Sequence, residues 1–353
     1  MTLYDFKVSK GSSSGDIVES TSHRPTLTRD EIYIKITHSG VCGTDQKYRH
    51  YDMVLGHEGI GVVKAIGPDV KGFKVQVFFL QLCSYLKISR GDRAGWGWVH
   101  ATCGVCEQCV EGQFVYCTGD TKQYGTGDQD QGSFGEGAVW REQLLCKIPD
   151  TLASDLAAPL MCAGITVWGT LTEYNVKPTD AIGVVGIGGL GHLAVQFANK
   201  LGCEVVALSG TETKKEEALK LGAHHFVATK GVSNLRVPRK INHLLVTKSH
   251  MPDLDQYKSI LAPRASIYLF GTADFESKLV LPYMQFIVSG WKLIGCTTSP
   301  KIVYQRMLEF AGLHGIKPMI ERFPLTKQGV VDSLKKLDEG KMRYCGVLYA
   351  EGV

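Results

Sequence analysis

Long apolar runs are absent from this sequence of 353 residues, in which no uninterrupted stretch approaches the ~20 apolar residues of a membrane-spanning helix. The first residues, MTLYDFKVSKGSSSGD, lack the apolar segment of a signal peptide, so we expect no export. Neither sign of charge is in large excess, because the formal net charge is only +4. We therefore expect neither a nucleic acid nor a membrane as a partner.

Cysteine, by contrast, is abundant, with 11 residues. In a chain without an export signal, many cysteines indicate free thiols and metal sites rather than disulfides. This pattern predicts a cytoplasmic protein. The length is large for a single core, so we expect two domains.

The most informative stretch is AIGVVGIGGLGHLAVQFANKL, residues 181–201. A β-branched run leads into a glycine-rich turn, and apolar residues then recur with helical spacing. The turn consists of Gly186, Ile187, Gly188, Gly189, Leu190 and Gly191. In such a strand–turn–helix unit the first glycine permits the bend, the second lets a pyrophosphate approach and the third allows close helix packing. The pattern predicts a dinucleotide site at the helix N-terminus.

The next predicted strand, residues 203–208, suggests which dinucleotide binds. An NAD site usually has Asp or Glu at the end of this strand to bind the ribose 2′-hydroxyl, but Gly210 stands there. Hydroxyls and cations that suit a 2′-phosphate follow the strand, namely Ser209, Thr211, Lys214 and Lys215. We therefore favour NADP over NAD. Glu212 is the contrary signal, because it would reach the ribose if the turn were one or two residues longer.

Beyond residue 201, short strand patterns alternate with helical stretches, as in a doubly wound parallel sheet. Up to about residue 150 the pattern is different. Short β-like segments such as 31–37 and 60–66 are separated by glycine and proline turns, which favours a barrel or sandwich. We interpret His224, His225, His243 and His250 as surface or core histidines rather than ligands.

A first metal-type cluster lies in the early β-rich part. Cys42 and His57 supply two ligand types, Thr44 carries a hydroxyl two residues from the first, and Asp45 can accept the second ring N–H of the histidine. A buried cysteine and a hydrogen-bonded histidine would give the same spacing. A catalytic zinc needs three protein ligands and an open position.

A second cluster contains four cysteines within fifteen residues: Cys103, Cys106, Cys109 and Cys117. Four thiolates this close in a cytoplasmic chain match a closed, tetrahedral, structural Zn²⁺ site. An iron–sulfur cluster is the main alternative.

The order of these motifs resembles that of the zinc-dependent medium-chain alcohol dehydrogenases, most of all the cinnamyl-alcohol-dehydrogenase-like branch with its fungal members. The similarity covers nearly the whole chain and includes Met161-Cys162-Ala-Gly-Ile-Thr166. It implies an α/β protein in which a GroES-like β-barrel catalytic domain is joined to a doubly wound (Rossmann) cofactor domain. The implied boundaries are 1–152 for the first part of the catalytic domain, 153–298 for the cofactor domain and 299–353 for the return.

The resemblance also implies roles for single residues. Cys162 matches the third ligand of the catalytic zinc, and Glu58 matches a glutamate near that metal that exchanges with bound water. Arg343 resembles a contact to the cofactor phosphate. The family usually forms dimers, so a homodimer is expected.

Three features depart from the family. Lys47 stands where relatives commonly have a relay histidine, with His50 three residues further on. The segment between Cys42 and His57 is short. Third, an apolar stretch, QVFFLQLCSYLKISR at residues 76–90, interrupts a turn-forming region. We interpret it as a short intron translated in frame, with an extra structural element as the alternative. An exposed run of this kind would promote aggregation.

The sequence thus predicts an NADP(H)-dependent zinc alcohol dehydrogenase, or aldehyde reductase, with two Zn²⁺ per chain. Its substrate would be a small alcohol or aldehyde, with aromatic and allylic compounds as candidates. Hydride would move between nicotinamide and the carbonyl carbon, and Thr44 would pass the proton, with Lys47 and His50 as further candidates. Two alternatives stay open, a C=C or iminium reductase of the same family and a non-enzymatic zinc-binding interaction protein.

Overall fold

The computed structural model describes residues 4–70, 88–248, 252–270 and 278–352. Most of the predicted insertion at 76–90, as well as His250, therefore lies outside the described residues. The chain forms two compact units. The first comprises Met1–Ile165 and Thr298–Val353, and the second Thr166–Thr297.

The first unit is built mainly from β-strands. Its largest sheet has seven strands in the order β16-β17-β3-β4-β5-β9, with β8 also paired to β3, while β1 pairs with β2 and β6 with β7. The strands are β1 Tyr4–Lys10, β2 Val18–Arg24, β3 Glu31–Val41, β4 Gly59–Ile66, β5 Arg93–Trp96, β6 Val99–Ala101, β7 Lys122–Gln123, β8 Gly137–Arg141, β9 Cys146–Lys147, β16 Ile320–Pro324 and β17 Cys345–Tyr349. The predicted β-rich first half is confirmed.

Strand β3 is central to this sheet, because it pairs with β4, β8 and β17. Its isoleucines Ile32, Ile34 and Ile36 alternate with less buried residues and are almost fully buried. They share a core with Trp96 and Trp140. The alternation directs one face of the strand into the core, which is why these residues form a strand rather than a helix.

The second unit is a six-stranded sheet in the order β12-β11-β10-β13-β14-β15, and every pair in it is parallel. The strands are β10 Ala181–Val185, β11 Glu204–Ser209, β12 His225–Ala228, β13 Ile241–Val246, β14 Leu261–Leu269 and β15 Lys292–Gly295. This order reverses direction at β10, so the glycine turn that follows β10 lies at the switch point where open α/β sheets bind ligands. The predicted doubly wound sheet is confirmed.

Helices connect and cover these strands. The α-helices are Gly43–Tyr48, Glu107–Val110, Ser154–Ala157, Ala163–Glu173, Gly189–Lys200, Lys215–Lys220, Leu254–Tyr257, Tyr283–Ser289, Lys301–His314 and Lys327–Asp338. Short 3₁₀ turns span Phe114–Tyr116, Glu142–Leu144, Ala158–Met161 and Glu212–Lys214. Among the described residues, no helix has both the length and the apolar character needed to cross a membrane.

The boundary between the units falls within the helix Ala163–Glu173, at Ile165. The family resemblance implies a boundary at residue 152. Residues 153–165 nevertheless belong to the first unit, where the 3₁₀ turn Ala158–Met161 packs against β3 and β17. Cys162 therefore lies in the same unit as Cys42 and His57.

Protonation of a buried histidine should make the second unit less stable in acid. His192 is fully buried in the helix Gly189–Lys200, and its Nδ1 lies 3.0 Å from the carbonyl oxygen of Gly188. Burial lowers its pKa from 6.5 to about 4. Because the pKa is lower in the folded than in the unfolded chain, this stability is present above about pH 6.5 and is lost as the pH falls toward about 4.

We expect the free energy of unfolding of the parent to fall between about pH 7.5 and about pH 5. In His192→Gln, which lacks the imidazole, this fall should be smaller by about 2 kcal/mol. Urea unfolding followed by circular dichroism measures the difference. The exposed His314→Gln serves as the control and should follow the parent. Parallel pH dependence of His192→Gln and the parent would contradict the expectation.

Candidate functional site

Four thiols form a compact cluster between β6 and β7. The Sγ atoms of Cys103 and Cys109 are 3.9 Å apart, as are those of Cys106 and Cys117, while Cys103 and Cys117 are separated by 3.5 Å. In a tetrahedral site with Zn–S bonds of about 2.3 Å, sulfur atoms lie about 3.8 Å apart. The donor set and spacing therefore fit one four-coordinate zinc with no open position.

The backbone of this loop favours thiolates. The amide of Cys106 donates to Cys103 Sγ at 3.3 Å, and that of Cys103 donates to Cys117 Sγ at 3.5 Å. Hydrogen bonds from the amides of Cys109 and Thr118 lower the pKa of Cys106 to about 5. Since metal binding requires the deprotonated thiol, these amides prepare the loop for a cation.

A second ligand cluster comprises Cys42, His57, Glu58 and Cys162, whose donor atoms all lie within 4.8 Å of one another. Cys42 is the N-cap residue of the helix Gly43–Tyr48, His57 and Glu58 directly precede β4, and Cys162 follows the 3₁₀ turn Ala158–Met161. Two thiols, an imidazole and a carboxylate suit zinc. The structure thus brings together all four residues that the sequence and the resemblance assigned to one metal.

Asp45 fixes the imidazole of this cluster. Its carboxylate accepts hydrogen bonds from the backbone N–H of Cys42 at 2.8 Å, from His57 Nδ1 at 2.9 Å and from the Tyr124 hydroxyl at 2.8 Å. With Nδ1 committed to Asp45, His57 Nε2 faces the ligands and lies 3.3 Å from Cys162 Sγ. This is the carboxylate–histidine arrangement that orients metal-bound imidazoles.

The ionisable groups of the cluster, of which His57 and Glu58 are buried and the two cysteines half-buried, perturb one another. A hydrogen bond from Cys162 lowers the pKa of Cys42 well below its usual value. Burial disfavours charge on His57, but the Asp45 carboxylate raises its pKa well above the usual value. Burial also raises the pKa of Glu58. The hydrogen bond with Cys42, together with burial, raises the pKa of Cys162 well above its usual value, so the two thiols share one proton in the metal-free cluster.

Glu58 has its position because Gly40 has no side chain. A Cβ atom at Gly40 would lie 1.7 Å from Glu58 Oε2, which no side chain could accommodate without movement of the glutamate. Gly40 thus provides the space in which the carboxylate reaches the ligand cluster.

The three proposed proton-transfer residues occupy different environments. Thr44 is 5% exposed, and its Oγ1 lies 3.6 Å from Cys42 Sγ. Lys47 is half-buried in the same helix, Gly43–Tyr48. His50 is exposed, and its ring packs against Gly15. Of the three, the structure places Thr44 at the ligand cluster.

Two aromatic residues at this cluster were missed in the sequence. The ring of Tyr124 lies 4.6 Å from that of His57, and the ring of Trp98 meets His57 edge-on at 5.6 Å. Neither belongs to a motif. An aromatic residue near a predicted metal site is a weak signal in sequence, because aromatic side chains are common in any core.

The glycine turn has the geometry expected of a dinucleotide site. Gly186 has φ +92°, a left-handed conformation that favours glycine. A Cβ at Gly191 would lie 1.9 Å from the Gly186 carbonyl oxygen, so a side chain would prevent the close packing of helix and strand. Gly188 caps the helix Gly189–Lys200, and a Cβ there would meet nothing within 4 Å. The space above Gly188 and the helix N-terminus are therefore free for a pyrophosphate.

The strand-end residues lie beside this turn. Lys214 Nζ donates to the Ile187 carbonyl oxygen at 2.7 Å, which places a cation on the turn itself. Ser209 ends β11, Gly210 faces open space, and the Thr211 hydroxyl lies 2.8 Å from that of Thr213. Glu212, the residue that favoured NAD, pairs instead with Lys215 at 3.3 Å.

Arg343 lies in the first unit, in the segment before β17. Its side chain is exposed, and its backbone N–H donates to Glu321 Oε1 at 2.5 Å. The assignment of Arg343 as a phosphate contact stays a prediction.

Two family models match the chain. The model described as an alcohol dehydrogenase GroES-like domain matches residues 28–150, and the model described as a zinc-binding dehydrogenase matches residues 189–312. The first match contains the four-thiol cluster together with Cys42, His57 and Glu58, and the second contains the helix that follows the glycine turn. Cys162 lies outside both matches.

Similar proteins agree with these matches. A probable formaldehyde dehydrogenase of Bacillus subtilis (strain 168) is 35% identical over 319 residues, which cover 86% of this chain and 86% of that protein. A probable cinnamyl alcohol dehydrogenase 8A of Oryza sativa subsp. japonica is 32% identical over 96% of this chain and 93% of its own. The solved structure of a cinnamyl alcohol dehydrogenase from Sorghum bicolor has a TM-score of 0.85 and 27% identity, covering 99% of this chain and 98% of that one. The chain thus belongs to the zinc-dependent medium-chain alcohol dehydrogenase family, in its cinnamyl-alcohol-dehydrogenase-like branch, and is an oxidoreductase of the alcohol dehydrogenase class.

Proposed function

We propose that the protein is an NADP(H)-dependent zinc alcohol dehydrogenase that works as an aldehyde reductase. The buried cluster of Cys42, His57 and Cys162, with the imidazole fixed by Asp45, is the observation that carries the proposal. Two thiolates that offset the charge of the ion, one imidazole and the nearby Glu58 carboxylate suit a catalytic zinc with an exchangeable position.

When bound there, zinc supplies Lewis-acid stabilisation of the oxygen that becomes an alkoxide. The chain itself orients the ligands and handles the proton. Thr44, whose hydroxyl lies 3.6 Å from Cys42 Sγ, is positioned to donate to that oxygen. We assign the onward transfer to water rather than to Lys47 or His50, because of the three candidates only Thr44 is placed at the ligand cluster and the His50 ring packs against Gly15. The four-thiol cluster would hold a second, structural zinc.

NADP is the preferred cofactor in this proposal. Lys214 supplies a cation on the glycine turn, and Gly210 carries no carboxylate that would repel a 2′-phosphate. The pairing of Glu212 with Lys215 weakens the argument for NAD. Arg343 is retained as a candidate phosphate contact on the strength of the family resemblance alone.

Aldehydes with a flat, unsaturated or aromatic substituent fit the proposal. Trp98 is a half-buried indole whose ring meets that of His57 at 5.6 Å, and its Nε1 donates to Gln123. Aromatic faces beside a metal site favour planar apolar groups. Relatives are named as cinnamyl alcohol, formaldehyde and aldehyde enzymes, so turnover of a panel with NADPH would define the range.

A reductase of C=C or iminium bonds is the second candidate, because Lys47 stands in place of the usual relay histidine. The same panel separates the two functions. Faster reduction of an aromatic aldehyde at its carbonyl supports the first, and saturation of an enal without alcohol formation supports the second.

We also propose that the protein is a homodimer and that the second unit forms the contact. Residues 279–291 contain no charged side chain, and Val280, Tyr283, Met284, Ile287 and Val288 are all more than half exposed. Strand β15 lies at the end of the described sheet, where a second strand can pair with it. An exposed apolar helix beside a sheet edge fits a second copy of the same surface. The many reduced cysteines fit a cytoplasmic location.

Metal content should separate the two proposed zinc sites. We expect about two zinc ions per chain in the parent protein. Cys162→Ala should stay folded with about one zinc and no carbonyl reduction, whereas Cys106→Ala should impair folding, because a structural site contributes folding energy. Elemental analysis, circular dichroism and aldehyde-dependent NADPH oxidation give the three readouts. The buried Cys203→Ala, in the other unit, is the control and should keep both ions. Full activity of Cys162→Ala would refute the catalytic site.

Cofactor preference should depend on the absence of charge at position 210. Because a Cβ there meets nothing, Gly210→Asp should fold normally yet bind NADPH more weakly by roughly 1–2 kcal/mol, about five- to thirtyfold in Kd. Gly210→Asn has the same size without the charge and should lose much less. Fluorescence titration with NADPH and NADH measures both. Equal KM values for the two cofactors in the parent would overturn the assignment.

The mass in solution should depend on the apolar helix. We expect the parent to sediment as a dimer and the double variant Ile287→Glu/Val288→Glu to sediment as a monomer, since two carboxylates per chain would be buried in the contact. Leu313→Glu changes another exposed apolar residue and should stay dimeric. A monomeric parent, or a double variant that remains dimeric, would show that this surface is not the interface.

A further inference from the structure

Tyr124 contacts the ligand cluster in three ways. Its hydroxyl donates to Asp45 Oδ1 at 2.8 Å and accepts from the backbone N–H of Gly56 at 2.9 Å. Its ring lies 4.6 Å from the His57 ring, at an interplanar angle of 33°. The side chain is fully buried. One residue thus contacts the carboxylate partner of His57, the peptide that precedes His57 and the imidazole itself.

These contacts constrain the imidazole more tightly than Asp45 could alone. A carboxylate with three donors is held in one orientation, and the hydroxyl bond to Gly56 fixes the backbone from which His57 extends. A donor on Asp45 also withdraws negative charge that the carboxylate would otherwise share with His57 Nδ1–H. The hydroxyl therefore affects both where Nε2 points and how strongly it donates electrons.

We propose that Tyr124 is a positioning residue that sets the orientation and electron donation of His57 as a metal ligand. The inference rests on the proposed zinc site at Cys42, His57 and Cys162. Tyr124 acts through Asp45 and Gly56 and takes no direct part in the chemistry.

Tyr124→Phe tests the proposal, because it keeps the ring beside His57 and removes only the hydroxyl. In protein loaded with Co²⁺ in place of zinc, the absorption bands that Cys162→Ala abolishes report the His57 site. We expect these bands to shift in Tyr124→Phe. The affinity of this site in chelator competition should fall roughly 10- to 100-fold, because the loss of orientation outweighs the stronger electron donation from His57. The kcat for aldehyde reduction should fall while the KM for NADPH stays constant.

Tyr48→Phe is the matched control for the metal readouts. The Tyr48 ring meets that of Tyr124 edge-on at 5.3 Å, and its truncation leaves the three hydrogen bonds of Asp45 in place. We expect its cobalt spectrum and metal affinity to match the parent. Should Tyr124→Phe fail to fold, Tyr124→4-aminophenylalanine retains a donor at the same position and should restore the parent spectrum.

The outcomes separate this inference from the proposed function. If the parent shows no cobalt band that depends on Cys162, the metal site itself is refuted. If the parent shows the band and Tyr124→Phe keeps the parent's spectrum and affinity, Tyr124 only fills the core and the inference is overturned. It is also overturned if Tyr124→Phe changes these readouts or fails to fold and Tyr124→4-aminophenylalanine does not show the parent's spectrum and affinity.

Discussion

A buried carboxylate holds the catalytic part of this protein together. Asp45 has no exposed surface and accepts hydrogen bonds from the backbone of the residue that follows β3, from a side chain just before β4 and from a tyrosine just after β7. In a low-dielectric interior each of these bonds is stronger than in water, and the loss of one leaves the buried carboxylate less well compensated. The positions of two proposed zinc ligands, Cys42 and His57, therefore depend on this one group.

The two ligand clusters differ as their proposed roles require. The four-thiol cluster lies in a partly exposed loop, where backbone amides favour thiolates and four sulfurs close the coordination shell. The cluster around His57 contains two buried and two half-buried residues, mixes sulfur, nitrogen and oxygen donors, and has the Thr44 hydroxyl beside it. A closed shell stabilises a loop, whereas a buried shell with an exchangeable fourth ligand can bind and polarise a substrate.

The shape of the glycine turn in the second unit depends on backbone geometry more than on side chains. Gly186 adopts a left-handed conformation, Gly191 allows helix and strand to touch, and Gly188 leaves space for an anion. Lys214, whose Nζ donates to the glycine turn, belongs to the 3₁₀ turn Glu212–Lys214 that follows β11. The proposed cofactor site and its proposed preference for NADP thus involve neighbouring loops of one parallel sheet, as expected at a switch point.

The sequence alone determined the features that nearby residues encode. Strand β10, the glycine turn, the helix after it and the four-cysteine loop were predicted where the structure has them, because their spacing is set within a few turns of chain. Motifs also indicated Cys42 and His57. Cys162 was implied only by the family resemblance, and the tertiary structure places it beside them and packs residues 153–165 with the first unit. The bond from Tyr124 to Asp45 likewise spans 79 residues, and the indole of Trp98 meets His57 across two segments of the sheet. Such contacts depend on how strands pair and loops fold over them, and no local periodicity or spacing records that pairing.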